Sequence, residues 1–496
     1  MLRPSRSPLL GAAVALGAWW FGAASLQAAV VVTRPVHVQA STQDSVTIVW
    51  HTEQPTFAAV DYGPTLKYGL SAQSKIAARQ HAITLHRLSP DQTYYYRVRC
   101  DAETLVAGPA YHVRALPDKR TSRVRLLLWG DSGRGDAAQY SLIATMEAAD
   151  PDLMIHVGDL IQTDGAASRF DPFYFLPYRN LLRSIPVWPV LGNHDALTAD
   201  GQPFLDAFFL PRNNPAGDER SYSFNYGQVH LLAIDTTRPF EPGFLAWVAD
   251  DLASATTTWK FAYMHHPMYS CGMHGSSRSV RDLLAPIFEA HGVDMVFSGH
   301  DHDFQRSHPM RAGVPVGAGQ GPTFVAPDGI FYIGTGGGST VRPTSSSCDF
   351  TAVAVSRTHC TVLDIDGASL RLRALGVDGS TIDEITIDKS GDGGGGVART
   401  GALGSRARIH ANTPNPFNPS TVLSYELRDA APVYLSIHDL RGRRVSAFSL
   451  DHQPAGLHSL LWDGRDSGGR RVASGIYIVR LRSGAAEATR KIVLAE

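Results

Sequence analysis

Hydrophobic positions change rhythm three times along the chain. Over residues 30–117 they come in short runs of period two. Ser45-Val46-Thr47-Ile48-Val49-Trp50 alternates polar and apolar, which predicts a half-buried strand. Thr93-Tyr94-Tyr95-Tyr96-Arg97-Val98 predicts another, directly after the turn-forming Ser89-Pro90-Asp91. Short strands separated by turns predict a β-sandwich. Over residues 124–387 continuous apolar runs take over, at 124–129, 153–157, 229–234, 261–264, 295–297 and 330–333. They predict strands buried on both faces. Residues 282–291, with Leu283, Leu284, Ile287 and Phe288 on one side, predict a helix. That alternation predicts α/β layering. Ser390-Gly391-Asp392-Gly393-Gly394-Gly395-Gly396 reads as a flexible linker. Beyond it, alternating strands return at 433–438, 457–462 and 475–481 and predict a second small sandwich.

Ahead of these segments, Arg3 and Arg6 precede an apolar run over 9–26, closed by Leu26-Gln27-Ala28. This pattern predicts an export signal over residues 1–28, with an uncleaved anchor as the competing reading. No later stretch is long and apolar enough to span a bilayer, so the mature chain is expected to be secreted or held at the cell surface. A length of 496 residues implies about three domains, and 44% hydrophobic with 18% charged residues is globular composition. The net charge of −1 argues against a nucleic-acid scaffold. The four cysteines, Cys100, Cys271, Cys348 and Cys360, have no CxxC spacing, which argues against a structural zinc site, and allow three pairings.

Polar motifs follow the strands of the middle segment in this order: Gly130-Asp131-Ser132-Gly133, Gly158-Asp159, Gly192-Asn193-His194-Asp195, His265-His266-Pro267 and Gly299-His300-Asp301-His302. Each alone is weak. Together they place oxygen and imidazole donors beyond strand ends, where active sites of α/β folds collect. Such donors suit zinc, iron or manganese, and a pair of cations needs a bridging anion such as Asp159. The glycines preceding Asp131, Asp159, Asn193 and His300 are expected to supply backbone angles that other residues avoid. Gly336-Gly337-Gly338 lacks P-loop spacing and reads as a tight turn.

The motif series resembles the calcineurin-like metallophosphoesterases and, within them, the purple acid phosphatases. The segment Leu88-Ser89-Pro90-Asp91-Gln92-Thr93-Tyr94-Tyr95-Tyr96 resembles the corner of fibronectin type III domains, which precede the catalytic domain in plant-type enzymes. The resemblance implies a fibronectin-like domain over 30–117 and a two-sheet α/β/β/α domain over 120–388. It implies two metal ions, one held by Asp131, Asp159 and His302 and one by Asp159, Asn193, His265 and His300. His194 and His274 would contact the phosphate, and hydrolysis of a small phosphate ester would proceed through a metal-bound hydroxide. Monoesters are favoured over diesters or nucleotides; a non-catalytic surface adhesin is the rival of another class.

One departure concerns the first metal. Where the family has the tyrosine whose phenolate binds ferric iron, this chain has Gln162. The position two residues after Asp131, a histidine in other superfamily members, holds Gly133. Asp164 is the alternative replacement, and a divalent pair is expected. Asp195 is expected to orient His194 or its loop, His266 is read as structural or substrate-facing, and His308, His359 and Cys271 are left out of the metal set. Cys271 and Cys348 should lie at the catalytic rim and be bridged. The tail, with Thr413-Pro414-Asn415-Pro416-Phe417-Asn418-Pro419, Trp462-Asp463-Gly464 and Ser474-Gly475-Ile476-Tyr477, resembles immunoglobulin-like sorting domains of bacterial type IX export. This implies a linker over 389–405, a sorting domain over 406–496 and an export machinery as partner.

Overall fold

The computed structural model describes residues 29–316 and 321–390, and in the C-terminal part 407–410, 412, 415–427, 430–439, 443–483 and 486–495. The expected export signal and nearly all of the Gly-rich linker lie outside the described residues.

Two sheets in the middle of the chain carry the candidate site. In the first, Arg123–Trp129, Leu153–His156 and Val187–Pro189 run parallel, and Arg123–Trp129 pairs antiparallel with His359–Asp366 on its other side. In the second, Val229–Ile234, Trp259–Met264, Met295–Ser298 and Phe331–Thr335 run parallel. The second sheet is covered on both faces. Leu231, Ala233, Phe261, Tyr263 and Phe297 belong to the core shared with the first sheet, whereas Leu232, Ile234, Ala262, Met264 and Val296 pack with Val248, Leu252, Leu284 and Phe288. These last four come from the helices Phe244–Ser254 and Arg278–Ala290. Burial on both faces explains why the strands read as unbroken apolar runs. The second helix begins four residues earlier than its apolar pattern predicts. It buries Leu284 and Phe288, while Leu283 stays exposed because the helix presents a narrower stripe to the sheet.

The N-terminal segment forms two sheets around Trp50, Val60, Tyr96 and Val98. Tyr94 Oη accepts a hydrogen bond from Ser89 N at 3.0 Å, tying the 88–94 corner. The expectation of one solvent face for strand Ser45–Thr56 fails, since Thr47 and Val49 are buried. Register explains the difference: Thr47, Val49 and His51 stand beside Gln39, His37 and Arg34 of Val32–Gln39, on one face of the sheet. That face docks on the middle domain. Arg34 pairs with Asp171 and lies 4.2 Å over Phe175, His37 sits 4.6 Å from the same ring, and Gln39 Nε2 donates to Ala207 O. The C-terminal strands surround a separate core of Phe417, Tyr425, Leu435, Trp462, Val479 and Ile492.

His37 is held as the neutral imidazole. Its Nδ1 donates to Pro35 O at 2.8 Å, and its Nε2 accepts from Gln39 Nε2 at 2.9 Å, so a second ring proton has nowhere to go. Burial, with Arg34 and His51 adding positive charge nearby, pushes its pKa down to about 3. A depressed histidine stabilises the fold above its unfolded pKa, and that contribution is lost as pH falls from about 6.5 towards 3. Between pH 7 and pH 5 this one residue is expected to remove about 2 kcal/mol. Urea unfolding at the two pH values, compared with His37→Gln, measures it; equal pH dependence in both proteins would refute the assignment.

Candidate metal centre

Parallel strands from both sheets end at one edge, and the motifs leave from those ends. Asp131 follows Arg123–Trp129, Asp159 follows Leu153–His156, His265 follows Trp259–Met264 and His300 follows Met295–Ser298. Asn193 arrives from the loop after Val187–Pro189. Single ligand atoms of Asp131, Asp159 and His265 all lie within 4.8 Å of one another, and all three residues are buried. Asn193 Oδ1 is 3.0 Å from His265 Nε2 and 2.9 Å from His300 Nδ1. His302 Nε2 stands 3.4 Å from Asp131 Oδ1. The six expected side chains therefore form one continuous cluster.

The backbone solution differs from the expected one. Among the four glycines only Gly158 has a left-handed φ, of 94°. The donors themselves take that conformation instead, with φ 57° at Asp131, 55° at Asp159 and 72° at His300. Such angles cost energy in non-glycine residues and persist where surrounding contacts fix them. Here Asp131 Oδ2 accepts from His300 N and Asp159 Oδ1 accepts from His194 N, both at 2.9 Å. The glycines serve close approach: a Cβ on Gly192 would overlap the Asp159 carboxylate, and one on Gly299 that of Asp131. Gly336 and Gly338 pack likewise against Asp131 and Gly130, so the Gly-rich run is a packing surface beneath the site.

The electrostatics call for a cation. Burial raises the Asp131 carboxyl well above its usual range, with the neighbouring Asp159 charge adding to the effect and His265 opposing it. His265 would be lowered by burial, but the two carboxylates override this and lift it to about 10. The two carboxylates thus favour positive charge at this point of the pocket. His265 Nδ1 donates to Val157 O and His302 Nδ1 to Thr340 O, each at 3.0 Å. Both arrangements aim Nε2 at the cluster, as metal-binding imidazoles require. His302 is pushed down to about 4, first by burial and further by the nearby Arg342 charge. Two buried carboxylates, a carboxamide oxygen and three imidazoles fit divalent metal ions of the zinc, manganese or iron type.

Gln162 occupies the same pocket. It is 5% exposed, its Nε2 reaches Asp131 Oδ1 at 3.4 Å and Asp159 Oδ2 at 3.5 Å, and its Oε1 is buried with no hydrogen-bond partner. Asp164 points away: it accepts from Ala166 N and pairs with Arg169, so it does not take the missing ligand's place. His194 is 30% exposed, with Nε2 3.9 Å from Asp159 Oδ2, and faces the cluster from the solvent side. The His274 ring lies 4.2 Å from that of His300, and its Nε2 accepts from Arg342 Nη1 at 2.9 Å. His266 sits at the rim, hydrogen-bonded to Thr236 and 4.7 Å from the His300 ring. His359 lies apart, against Phe304. Cys271 and Cys348 form a disulfide, while Cys100 and Cys360 are buried thiols.

Two residues that set this geometry carry little sequence signal. Asp301 accepts from His274 N at 2.7 Å and from Ser270 Oγ, fastening the 270–274 loop. Arg342 follows the Gly-rich run, in a segment without periodicity. Asp195 was legible only as a bracing residue, and its contacts are specific. Fully buried, it accepts from Leu160 N at 3.1 Å, Ile161 N at 3.0 Å and Gly192 N at 3.0 Å, joining the Asp159 loop to the Asn193 loop. Asp195→Ala is expected to weaken metal binding about 10–100-fold. Competition titration with a zinc or manganese chelator measures this, and unchanged affinity would remove Asp195 from the positioning role.

Parts of this chain are similar to known proteins. Residues 124–304 match the family model of calcineurin-like phosphoesterases, and residues 413–487 match that of the FlgD Ig-like domain. Purple acid phosphatase 17 of Arabidopsis thaliana is 27% identical over 222 residues, covering 38% of this chain and 65% of its own. Purple acid phosphatase 4 of the same plant is 27% identical over 215 residues, covering 37% and 63%. The chain thus spans less than two thirds of the length of these relatives. Among solved structures, the purple acid phosphatase PPD1 from yellow lupin (Lupinus luteus) seeds superposes with a TM-score of 0.64 at 19% identity, over 73% of this chain and 75% of that one. PhoD superposes at 0.54 with 12% identity, over 75% and 92%. The tail is FlgD-like; type IX sorting is a narrower expectation than this match. The middle of the chain is thus similar to calcineurin-like phosphoesterases, and purple acid phosphatases are among the proteins it resembles.

Proposed function

We propose that this protein is an exported phosphoesterase with two divalent metal ions, acting on phosphate monoesters. The observation that carries the reading is the convergence of Asp131, Asp159, Asn193, His265, His300 and His302 at one edge of two parallel strand sets. Asp131, Asp159 and His302 would hold the first ion, and Asp159, Asn193, His265 and His300 the second, with Asp159 shared. Ions held there would lower the pKa of water and neutralise phosphoryl charge. His194, half open to solvent beside Asp159, is placed to donate to a phosphate oxygen or to the leaving alkoxide. His274 belongs to the same rim. Gln162 offers a neutral carboxamide where a phenolate would be anionic, which favours a divalent pair and gives no tyrosinate colour.

The Cys271–Cys348 disulfide is consistent with an oxidising compartment and hence with export. Among the described residues no helix is long and apolar enough to cross a membrane. The front sandwich is read as fibronectin-like, over 30–117, ahead of a catalytic domain over 120–388. The FlgD-like module over 406–496 is read as a type IX sorting domain that addresses the chain to an export machinery.

Purified protein loaded with iron, zinc or manganese is expected to bind two ions per chain and to hydrolyse p-nitrophenyl phosphate faster than its bis ester. The iron form should show no tyrosinate band. Asp159→Ala should release both ions and lower the rate by at least about a thousandfold, on the scale of losing an electrostatic catalyst. Two retained ions with a near-normal rate would defeat the ligand assignment. An inactive, metal-free wild type would identify an adhesin on a phosphatase scaffold.

Deleting residues 406–496 tests the address reading. The shortened enzyme is expected to keep its rate and midpoint of unfolding in vitro but to stay cell-associated in its own host. Normal export of the shortened chain would remove that role.

A further inference from the structure

Arg342 is held at the mouth of the metal cluster by its backbone as well as its side chain. Its N–H donates to His302 O at 2.9 Å, and its carbonyl accepts from Ser356 Oγ. Its Nη1 donates to His274 Nε2 at 2.9 Å, and the His274 ring rests against that of His300. Two further links join the loops that carry the pair: the Cys271–Cys348 disulfide and a bridge between Gly272 and Thr344. Asp301, between His300 and His302, fixes His274 N. Among the described residues no carboxylate forms an ion pair with Arg342, so its charge is left for a ligand. Sequence gives no hint of this, because Arg342 lies in a loop 40 positions beyond the last ligand motif.

We propose that Arg342 is the residue that selects phosphate monoesters over diesters, by binding an unesterified phosphoryl oxygen through its guanidinium fork. The inference rests on the phosphoesterase reading above and adds a determinant to it. A monoester dianion presents a third unesterified oxygen and a second negative charge. A diester has a carbon substituent at that place and a single charge. A guanidinium gains charge-assisted, directional hydrogen bonds from the first and loses hydration without return against the second. His274 acts here as a positioning residue: accepting from Nη1, it sets the plane of the fork and leaves the remaining N–H groups free.

The test uses full-length, metal-loaded wild type, Arg342→Gln and Arg342→Lys. For Arg342→Gln, KM for p-nitrophenyl phosphate and the calorimetric Kd for inorganic phosphate are each expected to rise about tenfold or more, the scale of one charge-assisted contact. The kcat/KM for bis-p-nitrophenyl phosphate should change by less than about twofold. Arg342→Lys, which keeps the charge without the fork, should recover part of the monoester loss but not all. Equal losses on both esters, or an unchanged phosphate Kd, would overturn the proposal. A wild type that binds two metals and phosphate yet hydrolyses neither ester would sink the phosphoesterase reading, while the phosphate Kd of the variants would still decide the role of Arg342.

Discussion

Burying Asp131 and Asp159 in one pocket is the constraint on which the rest of the middle domain depends. Two carboxylates removed from water repel each other, and either alone is costly to desolvate. Their oxygens are therefore met from every side: by His300 N and His194 N, by His265 and His302, and by the Gln162 amide. These partners come from both sheets, so packing sheet against sheet is what brings the donors together. The shared core of Leu127, Val362, Phe261 and Phe297 is the physical link between hydrophobic burial and a charged site. The same crowding explains the glycines, because the carboxylates lie where Cβ atoms would stand on Gly192, Gly299 and Gly336.

The loops that bear the donors are tied to each other rather than left to the strands alone. Asp195 joins the Asp159 and Asn193 loops through three backbone N–H groups, and burial with the Asp159 charge lifts its pKa to about 7. Asp301 does similar work at the opposite rim, where the disulfide adds a covalent link. A carboxylate is suited to such bracing because it accepts several N–H bonds without offering a donor that would compete. The cost is further negative charge near a pocket that already needs a cation, which makes metal binding and loop order a single electrostatic problem.

Strand runs were legible because strands buried on both faces leave an uninterrupted apolar signal; 229–234 coincides with its strand to the residue. The motifs were legible because strand ends convert chain order into spatial convergence. What sequence missed has three physical sources. Docking hides in register: Thr47 and Val49 read as a solvent face, whereas both are buried beside Gln39 and His37 on the face that docks on the middle domain. Rim residues hide because loops have no period, so nothing in the spacing distinguishes Arg342 from an ordinary surface arginine. The glycine expectation failed for a third reason. A left-handed turn can be imposed on Asp131, Asp159 and His300 when hydrogen bonds hold it, which leaves the adjoining glycines to serve proximity.

Gln162 is a neutral side chain set among buried charged groups. A phenolate at this place would add a third anion to the two carboxylates and favour a trivalent ion. The carboxamide adds none, yet it is buried as deeply as a ligand and spans both carboxylates at 3.4 and 3.5 Å. Those contacts are long for N–H···O bonds, and its oxygen has no partner at all, so the side chain is poorly satisfied as a hydrogen-bond donor alone. A group with a donor at one end and an acceptor at the other can turn its oxygen inward when positive charge enters the pocket. The burial that raises Asp131, with the Asp159 charge beside it, would then be offset by a cation rather than by a proton on His265. The pocket has the oxygen donors for that exchange.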